Sequence, residues 1–123
     1  MEYHLCLCAK GIDRSPTAAE VARKIFLEKG LDIETSSDGF DDLDKKYENP
    51  REYLKKFVRF YVMEEYMRKG LISKYDIPNG DVVCLNIPDD YRRNNPKDKS
   101  DLENILETVL RAEIAFHLSF GKK

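Results

Sequence analysis

The sequence predicts one α/β domain spanning residues 1–123: a four-stranded parallel sheet with helices on both faces, and a phosphate-binding loop between the first strand and the first helix. Three observations carry this. Strand-like and helix-like patterns alternate along the chain, as they do where a parallel sheet is covered on both sides. A mostly apolar run, Tyr3 to Cys8, stops abruptly, and a helical pattern begins near Ser15 and Pro16. Between them lies Cys8-Ala9-Lys10-Gly11-Ile12-Asp13-Arg14-Ser15-Pro16, at the kind of strand-to-helix junction where open α/β folds place their ligands.

The elements follow in order. Tyr3 to Cys8 suits a buried central strand. In the first helix Ala18, Val21, Ala22, Ile25 and Phe26 share a face, and Lys29-Gly30 ends it with a cation and a C′ glycine. Leu31 to Thr35 reads as a short second strand. Ser36 to Asn49, rich in Asp, Lys and Gly, reads mostly as loop on the rim of the Cys8 segment. Two aromatic residues stand in it: Tyr47 is expected to pin the loop to the core, while Phe40 either does the same or lines a cleft. Pro50 is expected to open a short helix to about Lys56, with a third strand from Phe57 to Val62. Arg59 interrupts that strand, so an edge position or an acidic partner is expected for it. Met63 to Lys69 reads as a helix stopped by Gly70, Ile77 to Gly80 as a turn, and Val82 to Leu85 as the fourth strand. A last helix is expected from Ser100, where Glu103 completes a capping box. Its buried stripe would be Leu102, Ile105, Leu106, Val109, Ala112 and Phe116, with His117 as a charge near its end.

The junction has its own chemistry. The first amides of a helix have no intrahelical partner, so they form an anion site facing the loop. A helix N-terminus or a neighbouring cation lowers a cysteine pKa to roughly 3.5–7.5, which would make Cys8 a thiolate and therefore a nucleophile. Arg14, after five intervening residues, offers a planar fork that can hold two phosphoryl oxygens, which a lysine could not. Gly11 permits the positive φ that turns loop N–H groups inward. Ser15 suits the N-cap and Pro16 the first helical position, although the Ser15 hydroxyl could instead donate to the sulfur. A cysteine ending a buried strand is usually only a small core hydrophobe. It is the combination with Arg-Ser-Pro at this spacing that favours chemistry.

Composition removes other classes. Charged residues make up 36% of the chain, but the signs nearly cancel to a net −2, unlike the basic excess of a nucleic-acid binder. No apolar run reaches membrane-spanning length, and no signal-peptide pattern precedes the first strand, so a soluble cytoplasmic protein without a membrane partner is expected. Cys6, Cys8 and Cys84 do not form a disulfide framework and suit a reducing compartment. His4, Cys6 and Cys8 share a strand face, but His4 and Cys8 would be roughly 13 Å apart, too far to close easily on one ion. Neither a metal nor a cofactor is expected.

The Cys8 loop resembles the active-site loop of the low-molecular-weight protein tyrosine phosphatases, in which Cys and Arg-Ser have this spacing after the first strand. Phe60-Tyr61-Val62-Met63-Glu64 and Ile87-Pro88-Asp89-Asp90-Tyr91 resemble a short, phosphatase-like microbial branch of that family, and the similarity covers nearly the whole chain. The resemblance implies a two-step phosphatase with Cys8 as nucleophile, Arg14 holding the phosphoryl group and an Asp as general acid. The family has Asp-Pro-Tyr at the last motif. Aligning its Tyr with Tyr91 selects Asp89, whereas the residues alone leave Asp89 and Asp90 open, or both as solvated turn residues. Substrate binding would fall to Ala9, Lys10, Gly11, Ile12, Asp13 and Ser15, with Phe40 and Tyr91 as aromatic walls. The implied partners are a phosphorylated protein or small phosphomonoester, and inorganic phosphate or a similar oxyanion at the loop.

Two residues depart from the family pattern. Gly11 replaces a usual Asn, losing side-chain bonds that brace the loop. Asp13 stands where a second Cys is often found, which removes the familiar disulfide protection; it also puts an acid on the rim, partly offset by Lys10. Three functions stay open at this point: a phosphomonoesterase acting on phosphotyrosine or a similar ester, a thiol-dependent arsenate reductase on the same fold, and a non-catalytic phosphate-binding module. The reductase needs a resolving cysteine, and Cys6 and Cys84 both fall in expected strands.

Overall fold

The computed structural model describes residues 1–120. Its elements run β1 (Glu2–Cys8), α1 (Arg14–Glu28), β2 (Ile33–Gly39), a 3-10 turn (Phe40–Asp42) leading into α2 (Leu43–Lys46), α3 (Pro50–Leu54), β3 (Arg59–Val62), α4 (Glu65–Tyr75), β4 (Val82–Cys84) and α5 (Pro96–Phe120). The four strands are all parallel in the order β2-β1-β3-β4. The expected single α/β unit with a four-stranded parallel sheet is therefore the observed one. α1 packs against β1 and β2, α4 against β3 and β4, and α5 returns to pack on α1. Strand order reverses between β1 and β3, so a crevice opens at their C-terminal ends.

Local chemistry explains most boundaries. At the end of α1, Gly30 takes φ +68°, Gly30 N–H bonds Leu27 O and Leu31 N–H bonds Phe26 O, a Schellman closure. Asn49 caps α3 by accepting from Glu52 N–H, and Pro50 is its first residue.

Several expected boundaries are corrected. β2 starts later than Leu31 and runs on to Gly39, because Ser36, Ser37 and Asp38 continue the ladder against Leu5, Cys6 and Leu7. Backbone pairing, indifferent to these polar side chains, decides the matter. The stretch after it is helical in part rather than mostly loop. Arg59 is not on an edge strand: it opens β3, which lies between β1 and β4.

Gly70 does not stop α4, which continues to Tyr75 and ends at Asp76 in the left-handed conformation. The glycine is there for packing, since a Cβ would overlap the Phe40 ring. α5 begins at Pro96 rather than Ser100, capped by Asn95 Oδ1, which accepts from the N–H groups of Lys97 and Asp98. Its buried stripe is Leu102, Leu106, Leu110 and Ile114, while Ile105, Ala112 and Phe116 are exposed. His117 stands in the last turn of α5 as expected and is half-buried; burial and then Arg59 lower its pKa.

His4 is almost fully buried, edge-on to Phe26 and 3.3 Å from the Tyr61 hydroxyl. Burial lowers its pKa, against the opposing pull of Glu2 3.1 Å away; Arg59 and His117 add to the lowering. The folded protein thus holds His4 neutral where an unfolded chain takes up a proton, below about 6.5. This histidine's share of stability should be complete above that pH and should decline as pH falls through it. Melting temperature is expected to drop between pH 7.5 and 5.5, and His4→Gln should flatten that slope.

Candidate active site

The crevice between β1 and β3 is where the predicted loop lies. Gly11 adopts φ +73°, and a Cβ on it would sit 2.7 Å from Gly39 N. A Cβ on Gly39 would likewise sit 2.6 Å from the Lys10 carbonyl carbon. Two glycines on facing backbones therefore let the loop lie directly against the end of β2, and Asp41 N–H bonds Ala9 O at 3.0 Å beside them. This close approach accounts for Gly11 in place of a larger residue.

Cys8, 3% exposed, lies at the bottom of the loop. Gly11 N–H donates to its Sγ at 3.2 Å, and the Ser15 hydroxyl lies 3.2 Å from the same sulfur. Ser15 is not the N-cap. α1 starts one residue earlier, and the Ser15 hydroxyl donates instead to Asp38 O at 3.2 Å. The sulfur is thereby connected through Ser15 to the end of β2.

Asp38 is a residue that sequence reasoning missed. Its carboxylate is buried and accepts from Gly39 N–H at 3.0 Å, Lys46 at 3.2 Å, Tyr53 at 3.0 Å and also Tyr47. Burial pushes its pKa up, but the bonds from Tyr47, Gly39, Tyr53 and Lys46 outweigh this and hold it below the usual carboxylate range. Tyr47 stacks on Tyr53 with ring centroids 3.8 Å apart, so it pins its segment as expected.

Arg14 is 1% exposed, and its orientation is set from two sides. Nη1 donates to Ile87 O at 2.7 Å and lies 2.8 Å from Glu64 Oε2. Its Nε is buried without a hydrogen-bond partner and is 3.8 Å from Asp89 Oδ1. An unpaired buried guanidinium N–H is costly unless an acceptor arrives, and an oxyanion would be one. Glu64 is the second missed residue; the Val-Met-Glu motif contained it without indicating a bond to Arg14.

A cavity of about 250 Å³ opens over Cys8. Of the predicted residues, Cys8, Ala9, Lys10, Ile12, Asp13, Arg14 and Asp89 line it, while Gly11 and Ser15 brace it from behind. Arg92, the third missed residue, completes the lining and holds Asp89 Oδ1 at 3.2 Å. Asp90 is exposed and does not line the cavity. Phe40 and Tyr91 do not line it either. Phe40 packs against Gly70, lies edge-on to Tyr66 and Tyr75, and is partly buried against the core. Tyr91 is half-buried against the core.

A larger cavity, about 530 Å³, lies by the N-terminal ends of β3 and β4 among Leu54, Phe57, Phe60, Tyr75 and Ile77, away from the cysteine. Among the described residues no three His, Cys, Asp or Glu side chains converge as a metal site, and no helix is long and apolar enough to cross a membrane.

No protein-family model and no curated protein matches the sequence. Solved structures do match along its length. A protein tyrosine phosphatase from Entamoeba histolytica superposes with a TM-score of 0.73 at 18% identity, covering 100% of both chains. A low-molecular-weight phosphotyrosine phosphatase from Vibrio cholerae O395 gives 0.69 at 20% identity, again over 100% of both. The YwlE arginine phosphatase, a Bacillus subtilis protein, gives 0.63 at 13% identity over 89% of this chain and 94% of its own. The chain therefore has the fold of the low-molecular-weight protein tyrosine phosphatases.

Proposed function

We propose that this chain is a cysteine-dependent phosphomonoesterase, acting in the cytoplasm on phosphotyrosine or a similar phosphate ester through a phosphocysteine intermediate. The observation that carries the reading is one cavity lined by Cys8, whose sulfur accepts the Gly11 N–H, and by a buried arginine whose Nε is unpaired. The phosphatase structures that share the fold support it. In the arginine phosphatase, an active-site serine introduced in place of a cysteine is phosphorylated, the oxygen counterpart of the intermediate proposed here.

In the first step the Cys8 thiolate attacks phosphorus. An S–P bond forms, the bond from phosphorus to the ester oxygen breaks, and Asp89 gives its proton to that oxygen. In the second, the Asp89 carboxylate takes a proton from water as its oxygen attacks phosphorus. The S–P bond breaks, releasing inorganic phosphate and restoring the thiolate. Arg14 Nε and the loop amides hold the equatorial oxygens in both transition states, in a site already organised before substrate arrives. Glu64 and Ile87 O keep the guanidinium aimed.

The arsenate reductase reading receives less support. Cys6 is fully buried, with its thiol pKa pushed up to about 12 by burial and then by Cys8. Cys84 pairs in register with Val62, which pairs with Leu7, so it lies two strands from β1, about 10 Å across the sheet. Burial raises its pKa as well.

The test combines turnover of a generic aryl phosphate with alkylation at mildly acidic pH. Iodoacetamide is expected to label Cys8 alone, and inorganic phosphate should protect it. Preferential labelling of Cys84 would instead favour a resolving thiol. Phosphate protection without any hydrolysis would mark a binding module.

A further inference from the structure

The segment from Leu85 to Asn95 carries Asp89 past the mouth of the cavity, and its two ends are fastened by different means. At the near end Leu85 and Ile87 are buried, and their N–H groups bond Val62 O at 2.8 Å and Met63 O at 2.9 Å. Pro88, Asp89 and Asp90 then run exposed. The far end is held by a residue of the phosphate loop itself. Asp13 Oδ1 accepts the Arg93 backbone N–H at 2.9 Å, and its Oδ2 lies 3.7 Å from Arg92 Nη1. That same Nη1 lies 3.2 Å from Asp89 Oδ1.

We propose that Asp13 and Arg92 are positioning residues that hold the Asp89 carboxyl over Cys8. The proposal rests on the phosphomonoesterase reading and adds the device that places its acid. Asp89 has 57% of its side chain exposed and no regular secondary structure to fix it. A general acid must stay within hydrogen-bond reach of the departing oxygen, and a displacement of about 1 Å can cost on the order of 100-fold in rate. Asp13 supplies the missing constraint. It occupies the N-cap position of α1, yet its side chain makes no cap bond to that helix. Its carboxylate is spent on the Asp89 segment instead, reaching 80 residues along the chain. An acid beside an anion-binding loop would repel substrate, and Arg92, set between Asp13 and Asp89, offsets that charge.

The test compares two substrates: phenyl phosphate, whose leaving group needs a proton, and 4-nitrophenyl phosphate, whose leaving group departs more readily without one. Asp13→Ala should lower kcat/KM, which reports the first step alone, by about 10–100-fold on phenyl phosphate and by no more than about 3-fold on 4-nitrophenyl phosphate. Asp13→Asn should recover part of the loss, because its amide oxygen still accepts from Arg93 N–H. Arg92→Ala should reproduce the leaving-group pattern. Hydrogen exchange at residues 89–93 should accelerate in Asp13→Ala, while inorganic phosphate still protects Cys8 from iodoacetamide.

Equal losses on both substrates, with phosphate protection gone, would overturn the proposal by showing that Asp13 only braces the phosphate loop. Unchanged kinetics on both would overturn it too. Should Cys8→Ser hydrolyse both esters as fast as wild type, the cysteine-dependent reading itself falls; the exchange data then judge the clasp alone, acceleration supporting it and no change rejecting it.

Discussion

Cys8→Ser should lose phosphomonoester turnover by roughly 10⁴-fold or more while still binding inorganic phosphate. A serine hydroxyl is nearly isosteric with the thiol and can keep both neighbours of Sγ, the Gly11 N–H and the Ser15 hydroxyl. Arg14, held by Glu64 and Ile87, is untouched by the change. Only nucleophilicity is removed, because an un-ionised hydroxyl attacks phosphorus far more slowly than a thiolate. Steady-state assays with an aryl phosphate and titration with inorganic phosphate separate the two properties. Wild-type turnover in this variant would end the thiolate mechanism.

The second large effect concerns the acid. Asp89→Ala should lower kcat/KM, which reports the first step alone, by roughly 10²–10⁴-fold on esters with poor leaving groups, the range for loss of a general acid. The defect should shrink as the leaving group becomes more acidic. Asp90→Ala should cost much less and show no such dependence, since Asp90 faces solvent away from the cavity while Asp89 lines it. Rates across a series of aryl phosphates check this. A leaving-group-sensitive defect in Asp90→Ala would move the assignment by one residue.

What could be read in the sequence divides by the range of the interactions involved. Cys8, Gly11 and Arg14 could be read together because their chemistry is local: a strand end, a positive φ and a helix start lie within a few residues. The same holds for Lys29-Gly30 and for Asn49-Pro50, whose cap bonds are short-range. Asp38, Glu64 and Arg92 could not be read this way. Each looks like an ordinary polar residue until the sheet order brings it to the Cys8 rim, and Asp38 was further disguised by the polar stretch that hid the end of β2. Gly70 misled for a related reason. In sequence a glycine signals a helix end, but here it makes room for Phe40, a ring 30 positions away. The Ser100 capping box misplaces the start of α5, because Asn95, whose side chain accepts from Lys97 and Asp98 N–H, lies in a polar run that offers no apolar stripe to mark a helix.

The bond from Arg14 to Ile87 O spans 73 residues, and this separation matters while the chain is being made. Ribosomes add about 5–20 residues per second, so the arginine waits roughly 4–15 s before its carbonyl partner has even been synthesised. Glu64 arrives within that interval, and the Asp89 segment only at its close. Until then Cys8 is a nascent-chain thiol in an incomplete cradle, facing an arginine that nothing yet aims. Selective alkylation of Cys8 should accordingly belong to the finished protein and be missing from nascent chains that end before Ile87.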